Sequence, residues 1–272
     1  MRRLLNIRPR GGGLVILGLL PLIAVVMLYL SASAARHIEN PRDKVLPTPQ
    51  AMAESVVLMT QVDPLRDERP LVVDTVASLR RLLVALAVST AISLTLGLLL
   101  GLLPIMRGAF GPLVGAIAVI PPIAILPILF IIFGLGETAK IALIVIGVTP
   151  VMVRDLASHI SAIPEEQMVK AQTLGASTWQ VALRVAIPQA MPRLIKCLRL
   201  ALGPAWVFLI SAEAIAADVG LGYRIFLVRR YLAMDVILPY VAWISALAVM
   251  MDLALLAVSR RFFGWAHPKG AI

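Results

Sequence analysis

Few residues in this chain are placed to do chemistry. His37, His159 and His267 lie far apart and each reads as a surface residue. With the single cysteine, Cys197, they provide neither a metal-ligand cluster nor an internal disulfide. No Gly-x-x-x-x-Gly-Lys-Ser/Thr cradle for phosphates occurs, and no nucleophile–base pair or paired carboxylates suggest catalysis. What remains is a small set of polar residues inside or beside long apolar runs. Glu213 closes one such run, Asp218, Tyr223 and Arg224 follow it, and Asp252 lies within another. Charge in lipid is costly, so these positions are candidates for a pathway or gate. Glu213 reads either as half of an ion pair holding a gate loop or as a solute contact. Asp252 reads as a paired acid near one membrane face.

The elements that must position these residues follow from composition. The chain has 272 residues, 60% hydrophobic and 15% charged. Soluble domains run at about 45–50% apolar and about 25% charged. Runs such as Leu82–Leu103, without a charge, are long enough to cross a bilayer as helices. The runs are continuous rather than alternating, and lipid requires the backbone to satisfy itself, so the spans are helical. An all-α polytopic membrane protein with about six transmembrane helices is predicted. The spans are read at 14–34, 82–103, 113–133, 140–156, 194–215 and 236–258. The first could be mistaken for a secretory signal, with its basic front and Ala-Ser-Ala triplet. Its apolar stretch is longer than a signal core, which favours an uncleaved span.

Net charge is +10. In a polytopic chain this reflects cytoplasmic loops rather than nucleic-acid binding. With the N-terminus inside, most Lys and Arg fall on the inner side, from Arg2, Arg3, Arg8 and Arg10 through Arg154 and Lys170 to Arg260, Arg261 and Lys269. Both termini are therefore expected in the cytoplasm. The organisation is an inner segment 1–13, the first span, a periplasmic segment 35–81 with a short amphipathic helix, a core 82–258 carrying a cytoplasmic loop at about 157–193, and an inner tail 259–272. Arg80 and Arg81, just before the second span, read as interfacial anchors. Gly97/Gly101 and Gly111/Gly115 have the small-xxx-small spacing that lets helices touch; they read as packing seams, at or near a pathway. Pro121, Pro122 and Pro127 interrupt the third span; they either line a pathway or simply kink the helix.

The loop is the most informative stretch. Pro164, Glu165 and Glu166 make a helix start, with proline in the first turn and acids at the positive dipole end. That helix should run to Leu174, and Gly175 fits a left-handed stop. Ser177 and Gln180 have capping-box spacing, so a second helix begins there and should end near Ile187-Pro188. A DNA-reading helix-turn-helix has similar punctuation, but this one lies between two spans. An inert interfacial loop would not need the hinge and both caps.

These residues resemble the EAA loop of binding-protein-dependent ABC transporter permeases: Glu-Ala-Ala, three residues, Gly, nine residues, Ile, one residue, Leu-Pro. Ala171 matches the second Ala, Gly175 the glycine, Val185 the isoleucine and Ile187-Pro188 the Leu-Pro pair. Val169 and Lys170 replace the usual Glu and first Ala. Leu174, Ala176 and Ser177 complete the turn. The resemblance covers about 70–260. "IPPIAILPILFIIFGLGETAKI" and "SAEAIAADVGLGYRIF" look like the nitrate/sulfonate/taurine/bicarbonate subgroup, and "ENPRDKVLP" like a branch associated with urea carboxylase and guanidine utilisation. It implies a type I importer permease fold in a bacterial inner membrane, with the loop docked in a groove of a cytoplasmic ATPase dimer. It also implies no cofactor in this chain, ATP and Mg being held by the partner, and a periplasmic or lipid-anchored solute-binding protein. Two permeases enclose the route, here as a two-fold homodimer. Outer arginines such as Arg229 and Arg230 would suit an oxyanion or meet the binding protein; Glu213, Asp218 and Asp252 would suit a guanidinium or amine. An ATP-independent carrier would call for inverted repeats, and a membrane enzyme for a reactive polar cluster. The sequence offers neither.

Overall fold

A computed structural model describes residues 12–40, 43–62 and 67–266. The inner N-terminal segment with its arginines, residues 63–66 and the end of the tail with His267 and Lys269 lie wholly or largely outside the described residues. Every regular element is helical among those described. Five helices are long and apolar enough to cross a membrane, and a bent pair supplies a sixth.

The chain divides into two compact units. The first holds α1 (Gly12–Glu39), α2 (Pro49–Thr60) and residues 228–239. Side chains of α1 from Leu17 onward are largely exposed and apolar, as a helix facing lipid requires. The segment after α1 turns back on it: Tyr29 Oη donates to the Pro47 carbonyl at 2.7 Å and Ser33 Oγ to that of Leu46 at 3.0 Å. Ser55 Oγ on α2 donates to Asp235 at 2.8 Å.

The second unit contains the core. α3 (Pro70–Leu102), α6 (Glu137–Ser161) and α9 (Ile187–Ala216) pack together. Between α3 and α6 the glycines are structural. A Cβ on Gly97 would lie 2.8 Å from Leu156 Cδ2, and one on Gly101 only 2.6 Å from Ile160 Cβ. This seam therefore lies inside one chain and not at a pathway between chains. Gly115 has no such neighbour and Gly111 only an ordinary contact.

Three expectations are corrected. The second span begins at Pro70, not at 82, because a proline in the first turn starts the helix and Arg80 and Arg81 do not stop it. Arg81 is consequently buried, 4% exposed, and is not an interfacial anchor. The third span is not one kinked helix over 113–133. α4 (Pro104–Ile117) is followed by a 3-10 turn, Pro122–Ile125, and α5 (Leu126–Phe133), with an 82° bend. Pro121 takes φ −65° and ψ 115°, the extended geometry a following proline imposes, and α4 cannot continue through it. Finally, the loop's second helix does not end at Ile187-Pro188. After α7 (Glu165–Thr173), α8 (Thr178–Val181) passes through a π-turn, Ala182–Ala186, directly into α9. In that turn Ile187 N–H reaches back five residues to the Ala182 carbonyl. Pro188 then sits in the first turn of α9, where its missing donor is tolerated. The remaining helices are α10 (Leu221–Arg229) and α11 (Met234–Phe262).

Candidate functional site

Two polar constructions stand out, and both are fixed by backbone hydrogen bonds. The first is the loop between α6 and α9. α7 ends in a Schellman motif: Ala176 N–H donates to the Ala171 carbonyl at 3.0 Å and Gly175 N–H to Gln172 at 2.9 Å. Gly175 has φ +80°, which favours glycine. Ser177 then caps α8 through a reciprocal box. Its N–H donates to Gln180 Oε1 at 2.8 Å, and its Oγ accepts from Gln180 N–H at 3.3 Å. Gln189 at the base of α9 donates to Gln167 Oε1 on α7 at 2.9 Å and to the Val185 carbonyl at 3.1 Å. A short, capped and braced knob results. Its turn presents Leu174, 88% exposed, and Trp179, 70% exposed. Val169 and Pro188 are also exposed, and Ala171, Ala176, Val185 and Ile187 are half-buried beneath them.

The second construction lies at the opposite end of α9. Glu213 is completely buried. Its carboxylate accepts from Ser78 Oγ at 2.7 Å, Arg81 Nη1 at 2.7 Å and Gly222 N–H at 2.9 Å. Arg81 Nη1 also donates to the Val219 carbonyl at 2.8 Å, while its Nε and Nη2 pair with Glu137, which Lys140 also contacts. Asp74, equally buried, accepts from Gly220 N–H, Arg224 Nε and Tyr240 Oη at 2.9, 2.8 and 3.1 Å. Leu221 N–H donates to Ser78 Oγ. Three successive backbone N–H groups of the turn after α9 are thus held by side chains of α3 and α9. The charges balance: Asp74, Glu137 and Glu213 against Arg81, Lys140 and Arg224. Burial works against the Arg224 charge, yet the bond to Asp74 outweighs it and raises its pKa.

The network gathers Glu213 and Arg224 from the sequence-derived candidates. Tyr223 is half-buried and forms no hydrogen bond in it, and Asp218 is exposed. Sequence reasoning missed Asp74, Ser78, Arg81, Glu137, Lys140 and Tyr240. The available signal was an acid, Asp74, four residues after a helix-starting proline in an apolar stretch. Asp252 is paired as expected, accepting both Arg199 Nε and Nη2 at 2.7 Å. Arg193 pairs with Asp155, which also accepts from Cys197 Sγ. Asp155 and Cys197 edge an apolar cavity of about 350 Å³ against Pro122, Pro204 and Phe208. Pro121 and Pro127 are exposed and do not line it.

An all-helical, multi-pass bundle with a braced helix–glycine–helix knob on one end is the architecture of an ABC importer permease. The fold matches the chain titled "Inward facing conformations of the MetNI methionine ABC transporter: CY5 SeMet soak crystal form" with a TM-score of 0.60 at 22% identity, covering 68% of this chain and 92% of that one. The chain belongs to the family "Binding-protein-dependent transport system inner membrane component", whose model matches residues 93–269. It is 36% identical over 220 residues to the taurine transport system permease protein TauC of Escherichia coli (strain K12), covering 81% of this chain and 80% of that protein. It is also 32% identical over 114 residues to the nitrate import permease protein NrtB of Synechococcus elongatus, covering 42% and 41%. These similarities fall in the nitrate/sulfonate/taurine subgroup. The chain is a multi-pass membrane protein and the translocation subunit of a binding-protein-dependent importer; a separate ATPase hydrolyses ATP. The family match includes the knob but begins after Asp74, Ser78 and Arg81.

Proposed function

We propose that this permease passes a small polar solute of the sulfonate, taurine or nitrate type, driven through the 164–188 loop by an ATPase dimer. The bicarbonate and guanidine or urea types belong to the same proposal. The observation that carries it is the knob itself: Leu174 and Trp179 project from a rigid, capped turn and have little cover within their own chain. Such apolar side chains need a partner groove. Nucleotide binding draws the two ATPases together and shifts the loops with them. The far-end network then opens or closes as its population is biased. In this reading Glu213 and Arg224 act as a gate latch and not as a solute site, because Glu213 is fully buried and accepts from Ser78, Arg81 and the Gly222 N–H, and Arg224 is paired with buried Asp74. A solute-binding protein, periplasmic or lipid-anchored, delivers to that end. The relatives' names support the solute class.

Orientation tests the reading first. The reading puts both termini in the cytoplasm of a bacterial inner-membrane protein, and with them the knob. In a Cys197→Ser chain, a cysteine introduced at Thr60 should react with a membrane-impermeant maleimide in intact cells. One at Thr178 should react only after lysis; Pro268, the matching position in the tail, lies outside the described residues. External labelling at Thr178 would overturn the coupling role.

Stoichiometry is the second test. One set of spans encloses half a route, and identical chains associate symmetrically by default. Two differently tagged copies, solubilised with the ATPase, should be recovered together on either tag. Recovery of one tag with an unrelated permease would establish a heterodimer.

A further inference from the structure

At the knob-bearing end of the core, a cavity of about 430 Å³ opens between α6, α9 and the end of α11. His159, Arg193, Lys196 and Arg199 contribute four basic side chains to its lining, and no acidic side chain among the described residues lines it. Arg193, Lys196 and Arg199 follow at intervals of three, on one face of α9. The two arginines are already neutralised, Arg193 by Asp155 and Arg199 by Asp252, each through Nε and Nη2. A guanidinium has five N–H donors, so side-on pairing leaves both hydrogens of Nη1 to spend. Lys196, between them, is exposed and enters no ion pair among the described residues. The cavity therefore offers one uncompensated positive charge within a fan of neutral-pair donors. That combination suits a singly charged group with several acceptor oxygens.

Part of its rim is apolar. Pro192, Leu256, Trp265 and Ala266 line it beside the polar Gln189 and Ser259, and Trp265 is 66% exposed. Leu253 and Phe262, on neighbouring turns of α11, are exposed as well. A soluble phosphate has no use for such a rim. A phosphodiester carrying acyl chains does, and an indole at a basic membrane boundary is where lipid headgroups lie. We infer that this cavity binds the headgroup of an anionic phospholipid, with Lys196 supplying the charge and the Arg193 and Arg199 forks positioning the phosphodiester oxygens. The site adjoins the brace of the knob through Gln189, which lines it, and is separate from the Glu213 network.

The test uses the full chain purified with its ATPase and examined by native mass spectrometry with added phosphatidylglycerol or phosphatidylcholine. Phosphatidylglycerol should be retained and phosphatidylcholine lost. Lys196→Gln, an exposed position whose change spares the fold, should weaken phosphatidylglycerol binding about fivefold, as expected for one basic residue at a lipid surface. Lys196→Arg should restore it. Equal retention of both lipids, or no change in Lys196→Gln, would overturn the site. Inorganic phosphate at matched ionic strength against chloride separates the sources. No displacement supports the lipid; displacement would assign the cavity to a soluble phosphate and overturn the lipid assignment.

Discussion

Gly175→Leu is expected to lower solute uptake at least tenfold while leaving the chain inserted. The cost does not come from a clash, because a Cβ at Gly175 would meet nothing within 4 Å. It comes from the backbone: a φ of +80° disfavours leucine by roughly 1–2 kcal/mol. The turn can escape that strain only by leaving the left-handed region. Doing so breaks the Ala176-to-Ala171 and Gly175-to-Gln172 bonds and re-aims Leu174 and Trp179. Gly175→Pro should be at least as severe, since it also deletes the N–H that Gln172 accepts. Gly175→Asn should keep most activity, because Asn tolerates the left-handed region. Uptake rate and the amount of ATPase recovered with the permease are the measurements. Normal uptake by Gly175→Leu would remove the docking turn from the account.

Arg81→Ala should be the most destabilising substitution in the core. It strands Glu213, which is fully buried, and removes a side chain that also ties Glu137 and the Val219 carbonyl. Removing one partner of a buried pair costs about 3–5 kcal/mol. The double replacement Arg81→Met with Glu213→Gln should be milder than Arg81→Ala alone, because no charge is left unpaired. Thermal unfolding in one detergent would compare them. A double variant less stable than Arg81→Ala would mean that the network contributes through its geometry rather than through charge pairing.

The knob was legible because its signals are local. Gly175, the Ser177/Gln180 box and Glu165–Glu166 all act within four residues, and each did what its type predicts. The join to α9 was not legible. Pro188 read as a stop, since nothing in the composition of Ala182–Ala186 signals a π-turn that carries the helix past it. The Glu213 network was half legible. Polarity beside an apolar run marked Glu213 and Arg224, but their partners lie 132 and 150 residues away at Arg81 and Asp74. Arg81 was misread because two adjacent arginines before an uncharged run look like a membrane boundary. Only the helix start at Pro70 and the burial of Arg81 show that the helix runs through both arginines. The break at Pro121-Pro122 was visible as proline, but not as a bend of 82°.

The direct join of knob to α9 makes that helix a lever arm. Its 30 residues span about 45 Å at 1.5 Å per residue. The fulcrum end is clamped by Gln189 to α7, and the load end carries Glu213. Glu213 lies about 36 Å beyond Gln189, so a tilt of about 2° displaces it by roughly 1.3 Å, enough, along the bond, to part a 2.7 Å Arg81–Glu213 contact. Pro192 and Pro204 inside the shaft lend it some compliance. Under the proposed coupling, the stroke needed at the knob is therefore small, and the mechanical gain between the two ends is set by the length of one helix.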